Sequence, residues 1–209
     1  MIGARPLTRE ECIKMRDAFT GRYAYRNRTL FLLGINTGFR ISELLSLRIA
    51  DVTEHDGSIT DRITVQRKFM KGGKRSRSVV LNTRIKVALL DYLQNDMHLN
   101  IDWENANTHP LFPSEREYGM SISRIQADRI LKDAFREAGL RGNLSTHTMR
   151  KTFANNFFTA AEKLRKGGEN IDPFRLTSKA LGHAVLDNTD KYLSFMESDI
   201  DNTIEEIGI

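Results

Sequence analysis

A protein with one cysteine cannot staple itself, and among these 209 residues Cys12 stands alone. That excludes the disulfide-scaffold class and suits a reducing compartment. Cys12 shares a helical stripe with Met15 and Phe19, so it reads as a small buried apolar side chain and not as a reactive thiol. There are only four prolines, and no run approaches the ~20 apolar residues of a membrane span. The opening residues Met1 to Pro6 hold no apolar core of signal-peptide length, which points to a cytoplasmic protein. His147 and His183 lack a paired carboxylate or cysteine at ligand spacing, so neither a metal nor any other cofactor is expected.

What is present describes an ordinary folded chain. The apolar share is 40% and the charged share 28%, enough for one buried core and too apolar for disorder. The formal net charge of +5 favours an anionic partner, and its distribution is more informative than its size. Six of the eleven residues from Arg67 to Arg77 are cationic: Arg67, Lys68, Lys71, Lys74, Arg75 and Arg77. Leu193 to Ile209 carries five acids and no base. The middle of the chain attracts a polyanion and its end repels one.

The pattern predicts an α+β fold, mostly helical, with a small antiparallel hairpin at about residues 62–81. Thr8 to Glu11 has capping-box spacing and should open a helix. Further helices are expected from Tyr25 to Asn36, stopped near Gly38, and from Ser42 to Leu47. Ile63-Thr64-Val65 and Ser78-Val79-Val80-Leu81 read as strands on either side of Gly72-Gly73, which places the basic cluster on the hairpin. A largely buried helix should run from Thr83 to about Met97, with Ile85, Val87, Ala88, Leu89, Leu90, Tyr92 and Leu93 inward. A long connection follows from Asn100 to Gly119. Helices are then expected over Ser123–Ala138, His147–Lys163 and Phe174–Leu181.

Several residues carry the means to hold and attack a phosphodiester. Arginine donates two parallel hydrogen bonds to phosphate oxygens and keeps its charge. Arg40 falls at a helix junction, although alone it would read as half of an ordinary i,i+3 pair with Glu43. His147 and Arg150, three apart at a helix start, share a face and can converge on one anion, which a helix N-terminus also favours. Taken singly, His183 reads as a structural histidine and Tyr192 as a half-buried aromatic.

Their joint order is specific. Gly38 to Val52 (GFRISELLSLRIADV), His147 to Asn155 (HTMRKTFAN), and Leu181-Gly182-His183 with Tyr192 nine residues after the histidine resemble the tyrosine recombinase (phage integrase) family. The likeness spans about Leu7 to Tyr192. It implies that Arg40 and Arg150 bind the scissile phosphate, that His147 serves as acid/base and phosphate ligand, and that His183 packs and hydrogen-bonds in the site. Tyr192 is then the nucleophile that forms a 3′-phosphotyrosine and frees a 5′-hydroxyl. Glu43 orients its neighbours, its alternative being an exposed helix residue. Lys71 best matches the hairpin lysine that protonates the 5′ oxygen, with Lys74 as runner-up. Arg67, Lys68, Arg75, Arg77 and whichever of those lysines is not catalytic are expected to contact the DNA backbone.

The resemblance further implies a site-specific recombinase that acts on double-stranded DNA, as a tetramer on two sites, without metal or ATP. Residues 1–192 form the catalytic domain in this reading, and 193–209 an acidic amphipathic tail that docks on its own domain or on a neighbouring copy. Most members carry a preceding helical domain that clamps the duplex, expected to be absent here. The chain is then either a piece of a longer protein or a short recombinase that leans on protomer contacts or accessory DNA-bending proteins. Two alternatives share the residues: a type IB topoisomerase-like relaxing activity and a catalytically retired DNA-binding protein.

Overall fold

The computed structural model describes residues 3–66, 76–96, 106–116 and 119–182. Thr8 opens α1 (Arg9–Asp17) with a capping box: its hydroxyl accepts from Glu11 N, and the Glu11 carboxylate accepts from Thr8 N. Helix α2 (Ala24–Thr37) ends at Gly38, whose φ of 61° is the left-handed conformation that only glycine adopts readily. One turn of helix, α3 (Ile41–Leu44), follows immediately. It is shorter than the predicted Ser42–Leu47, because from Ser46 onward the backbone tightens to i→i+3 bonds and Ser46 Oγ donates to the Glu43 carbonyl. A 3₁₀ turn at Ile49–Asp51 leads toward the strands.

Strands β1 (Arg62–Val65) and β2 (Arg77–Val80) pair antiparallel, with Val65 opposite Arg77 and Ile63 opposite Val79. Ile63 and Val65 are buried, so this face of the hairpin lies on the core. Helix α4 (Thr83–Asn95) buries Ile85, Leu89 and Tyr92 at spacings of four and three, a single stripe. The expectation of a largely buried helix is corrected here: Val87 and Leu90 face solvent, since α4 packs chiefly against α2 and covers the core from one side. The described part of the long connection is not a surface strap. Leu111 and Phe112 are fully buried, and Tyr92 donates its hydroxyl to Leu111 O at 2.8 Å.

Helices α5 (Arg124–Glu137), α6 (Thr146–Lys166) and α7 (Pro173–Leu181) complete the described chain. Helix α2 is central, touching α1, α3, α4 and α6. Its Gly34 and Gly38, one turn apart, meet Met149 and Phe153, also one turn apart on α6. A Cβ at Gly34 would stand 2.5 Å from Met149 Sδ, and one at Gly38 would enter the Phe153 ring. The two glycines thus let α6 approach closely enough for Arg150, between Met149 and Phe153, to reach the α2 terminus. The N-terminal segment fixes the start of α6: Arg5 binds Glu11 and the Arg141 carbonyl, and Leu7 N donates to Thr152 Oγ1 at 2.9 Å. Among the described residues no helix is long and apolar enough to cross a membrane.

Candidate active site

The turn from Thr37 to Arg40 is the junction on which the site is built. Gly38 reverses the chain, and Phe39 is buried, so Arg40 and the α3 turn are held against α2. Arg40 sits at the N-cap of α3, and its backbone N–H donates to Glu43 Oε2 at 2.8 Å. Its guanidinium binds the other carboxylate oxygen, Glu43 Oε1, also at 2.8 Å. Arg40 keeps 27% of its side chain exposed, while Glu43 keeps none. The exposed-helix alternative for Glu43 is therefore excluded. It is a buried carboxylate with its charge matched by arginine, the condition under which a buried acid is tolerated.

Arg150 approaches the same turn from α6. It is 1% exposed, donates from Nη1 to the Gly38 carbonyl, and donates from Nη2 to Leu181 O at 2.7 Å. One guanidinium thereby joins the end of α2 to the end of α7. These two carbonyls fix its orientation in advance, which is the preorganisation an anion site requires.

Arg77 corrects an expectation. Read as a DNA-backbone contact within the cationic run, it is instead buried, with 7% exposure. From the start of β2 its side chain donates to Thr37 O and, at 3.3 Å, to Gly38 O. It stands 3.8 Å from Glu43 Oε2 and lies over the Phe39 ring at 4.8 Å. Burial, then the neighbouring Arg150 and Arg40, push its pKa down to about 9 against the pull of Glu43, so it stays charged at neutral pH. The strand's alternation held the signal that would have found this: Arg77 shares a face with Val79, opposite the exposed Ser78 and Val80.

His147 lies on the second residue of α6, where Ser145 Oγ caps its backbone N–H. Its ring is more exposed than the arginines. Partial burial first, then the charges of Arg150, Arg124, Arg40 and Lys151, hold its pKa below the ordinary value. The N-terminus of α6 acts in the same direction. The imidazole is thus neutral at physiological pH and able to take a proton. Arg124, the first residue of α5, and Lys151, next to Arg150 on α6, were not singled out from the sequence.

The structure therefore brings Arg40, Glu43, Arg77, His147 and Arg150 together. Arg67, Lys68, Lys71, Lys74, Arg75, His183 and Tyr192, with the 193–209 tail, lie outside the described residues.

Comparison with known proteins bears on the chain as a whole. The sequence model of the phage integrase family matches residues 6–197. A tyrosine recombinase XerC of Caldanaerobacter subterraneus is 28% identical over 201 residues, which cover 96% of this chain and 50% of the relative. A probable integrase/recombinase, YoeC of Bacillus subtilis, is 35% identical over 134 residues, 64% of this chain and 63% of the relative. A XerC of Pelobacter propionicus is 31% identical, with 81% of this chain aligned to 48% of the relative. The chain spans about half to two thirds of the length of these relatives.

Among solved structures, the XerA recombinase superposes with a TM-score of 0.67 at 24% identity, covering 100% of this chain and 65% of that one. The XerH recombinase on a palindromic difH substrate, a post-cleavage complex, gives 0.69 at 23% identity, covering 98% and 53%. These likenesses establish the mostly helical fold with its small antiparallel sheet.

Proposed function

Since this chain belongs to the phage integrase family, we propose that it is the catalytic part of a site-specific DNA recombinase that cuts and rejoins strands through a covalent 3′-phosphotyrosine. Residues 1–192 form the catalytic domain in this reading, and 193–209 a tail. One observation supports it above others: Arg40 and Arg150, far apart in sequence, are tied to one turn, with His147 one helical turn before Arg150. Two guanidiniums held in advance, beside a neutral imidazole, suit a phosphodiester gaining charge in its transition state.

The chemistry then follows from the side chains. Tyr192, whose hydroxyl has an ordinary pKa near ~10, needs a cationic field and a base to attack at neutral pH. Arg40 and Arg150 bind the non-bridging oxygens, and His147, neutral because burial and four cations oppose its protonation, accepts the tyrosyl proton. The Oη–P bond forms as the bond from phosphorus to the 5′ oxygen breaks. Lys71, with Lys74 as the alternative, supplies the proton to that oxygen. The new ester keeps the energy of the old one, so the 5′-hydroxyl of another strand reseals it by the reverse path, with neither metal nor ATP. Double-stranded DNA is the substrate. A tetramer on two sites, assisted by DNA-bending proteins, carries out the exchange.

The test uses nicked duplexes that lose the 5′-hydroxyl fragment and so trap the covalent adduct. A random-sequence pool supplies them, so that the protein selects its own site. The wild-type chain should yield a protein–DNA adduct in EDTA, and Tyr192→Phe should yield none. Absence of any wild-type adduct would favour the binding-only reading, and relaxation without two-site exchange the topoisomerase-like one.

A further inference from the structure

We infer that Arg77 is a positioning residue for the proposed strand cleavage, and that it presets the two phosphate-binding arginines for a single phosphate. This rests on the recombinase reading. The observation is a shared pair of acceptors. Glu43, which holds Arg40 through both the backbone and the guanidinium, also faces Arg77. The Gly38 carbonyl, which holds Arg150, also accepts from Arg77. Arg77 touches both, so a chain of contacts runs Arg40, Glu43, Arg77, Gly38 O, Arg150.

Geometry makes this link directional. The Glu43 carboxylate is anchored at Oε2 by the Arg40 backbone N–H, and the buried, strand-anchored guanidinium of Arg77 faces that same oxygen, so the orientation of Oε1 toward the partly exposed Arg40 guanidinium is set from two sides. A planar fork is required to span Thr37 O, Gly38 O and Glu43 at once, and lysine, with one compact ammonium, cannot do so. The backbone adds a second connection. Arg77 pairs with Val65 across the hairpin and follows the lysine candidates Lys71 and Lys74 by only six and three residues. The start of β2, which follows those candidates in the sequence, is thereby pinned to the arginine turn.

The experiment measures single-turnover cleavage of a nicked duplex that the wild-type chain traps from the random pool. Each protein is tested on two forms of that duplex, one with an ordinary scissile phosphate and one with a methylphosphonate, which lacks the charge the arginines neutralise. Arg77→Gln should fold, retain DNA affinity within about threefold, and cleave the ordinary phosphate about 10–100-fold more slowly, as expected when a residue that orients a reacting group is lost. Arg77→Lys should recover part of that rate. On the methylphosphonate the deficit of both variants should shrink severalfold, because a neutral centre no longer needs both arginines in place. An equal deficit on the two substrates, or wild-type rates from both variants, overturns the inference. If Arg77→Gln fails to fold, the ratio of the two substrates in Arg77→Lys decides in the same way. Failure of the wild-type chain to trap any duplex is a different result, and it removes the recombinase reading itself.

Discussion

Arg150 and His147 stand three residues apart on one helix and live under opposite electrostatic regimes. Arg150 belongs to a buried seam where α2, α3, α6 and β2 meet, its position dictated by carbonyls and close glycine contacts. His147 belongs to a rim where Arg40, Arg124, Arg150 and Lys151 act on it through space. In the seam, charge is desolvated and must be matched in place, so geometry is stiff and any loss is costly. On the rim, solvent screens each charge, and the effect is a graded adjustment of one proton affinity. A phosphate-handling site needs both: fixed cations to hold the anion and a tunable base to move a proton.

The largest break of this contrast is Glu43→Gln. It leaves Arg77 buried without its carboxylate and should lower unfolding stability by about 3–5 kcal/mol, the usual cost of breaking a buried ion pair. Urea unfolding measures it, and a change smaller than 1 kcal/mol would mean that the seam behaves like a surface pair. Gly38→Ala comes next. It forces a Cβ into the Phe153 ring, at about 1–3 kcal/mol for overpacking, and imposes left-handed backbone on alanine, at about 1–2 kcal/mol more. The same denaturation series should show it, together with slower cleavage because the Arg150 acceptor shifts.

The smallest effect belongs to the rim and sharpens the comparison instead of breaking it. Because the folded protein holds the His147 pKa low, the unfolded chain binds the proton more readily. This group's contribution to stability is complete above the ordinary histidine pKa of ~6.5 and is lost as pH falls from there toward the folded value. His147→Gln should remove that part of the acid dependence, seen as a flatter denaturation midpoint between pH 5 and 7.5. Arg124→Ala should leave stability within about 0.5 kcal/mol and raise the imidazole pKa, read directly from its NMR titration. An unchanged titration would show that Arg124 does not reach the ring.

Local chemistry made much of the framework legible. Thr8 with Glu11 and Gly38 marked helix ends that the structure confirms, and Ser123 and Ser145 cap α5 and α6. The strand segments and the placement of Arg40 at a helix junction followed from composition and turn chemistry as well. What escaped was burial. Val87 and Leu90 looked inward because apolar content reports the residue, while exposure depends on how many sides of α4 are covered. Arg77 looked like a surface cation because five other cations precede it within ten residues, whereas strand alternation turns it onto the core face that Val65 and Val79 share.

By itself, then, the sequence determined most of the elements and their ends, since these depend on residues a few positions apart, and the order of the arginines and histidine on which the proposed function rests. Tertiary structure alone decided which of those groups hold one another. Gly38 O accepts from Arg77 and Arg150, and Glu43 faces Arg40 and Arg77, because α6 and β2 both arrive at the end of α2. Desolvation at that meeting point turns an ordinary i,i+3 pair into a fixed part of a site, and no count of sequence spacing contains it.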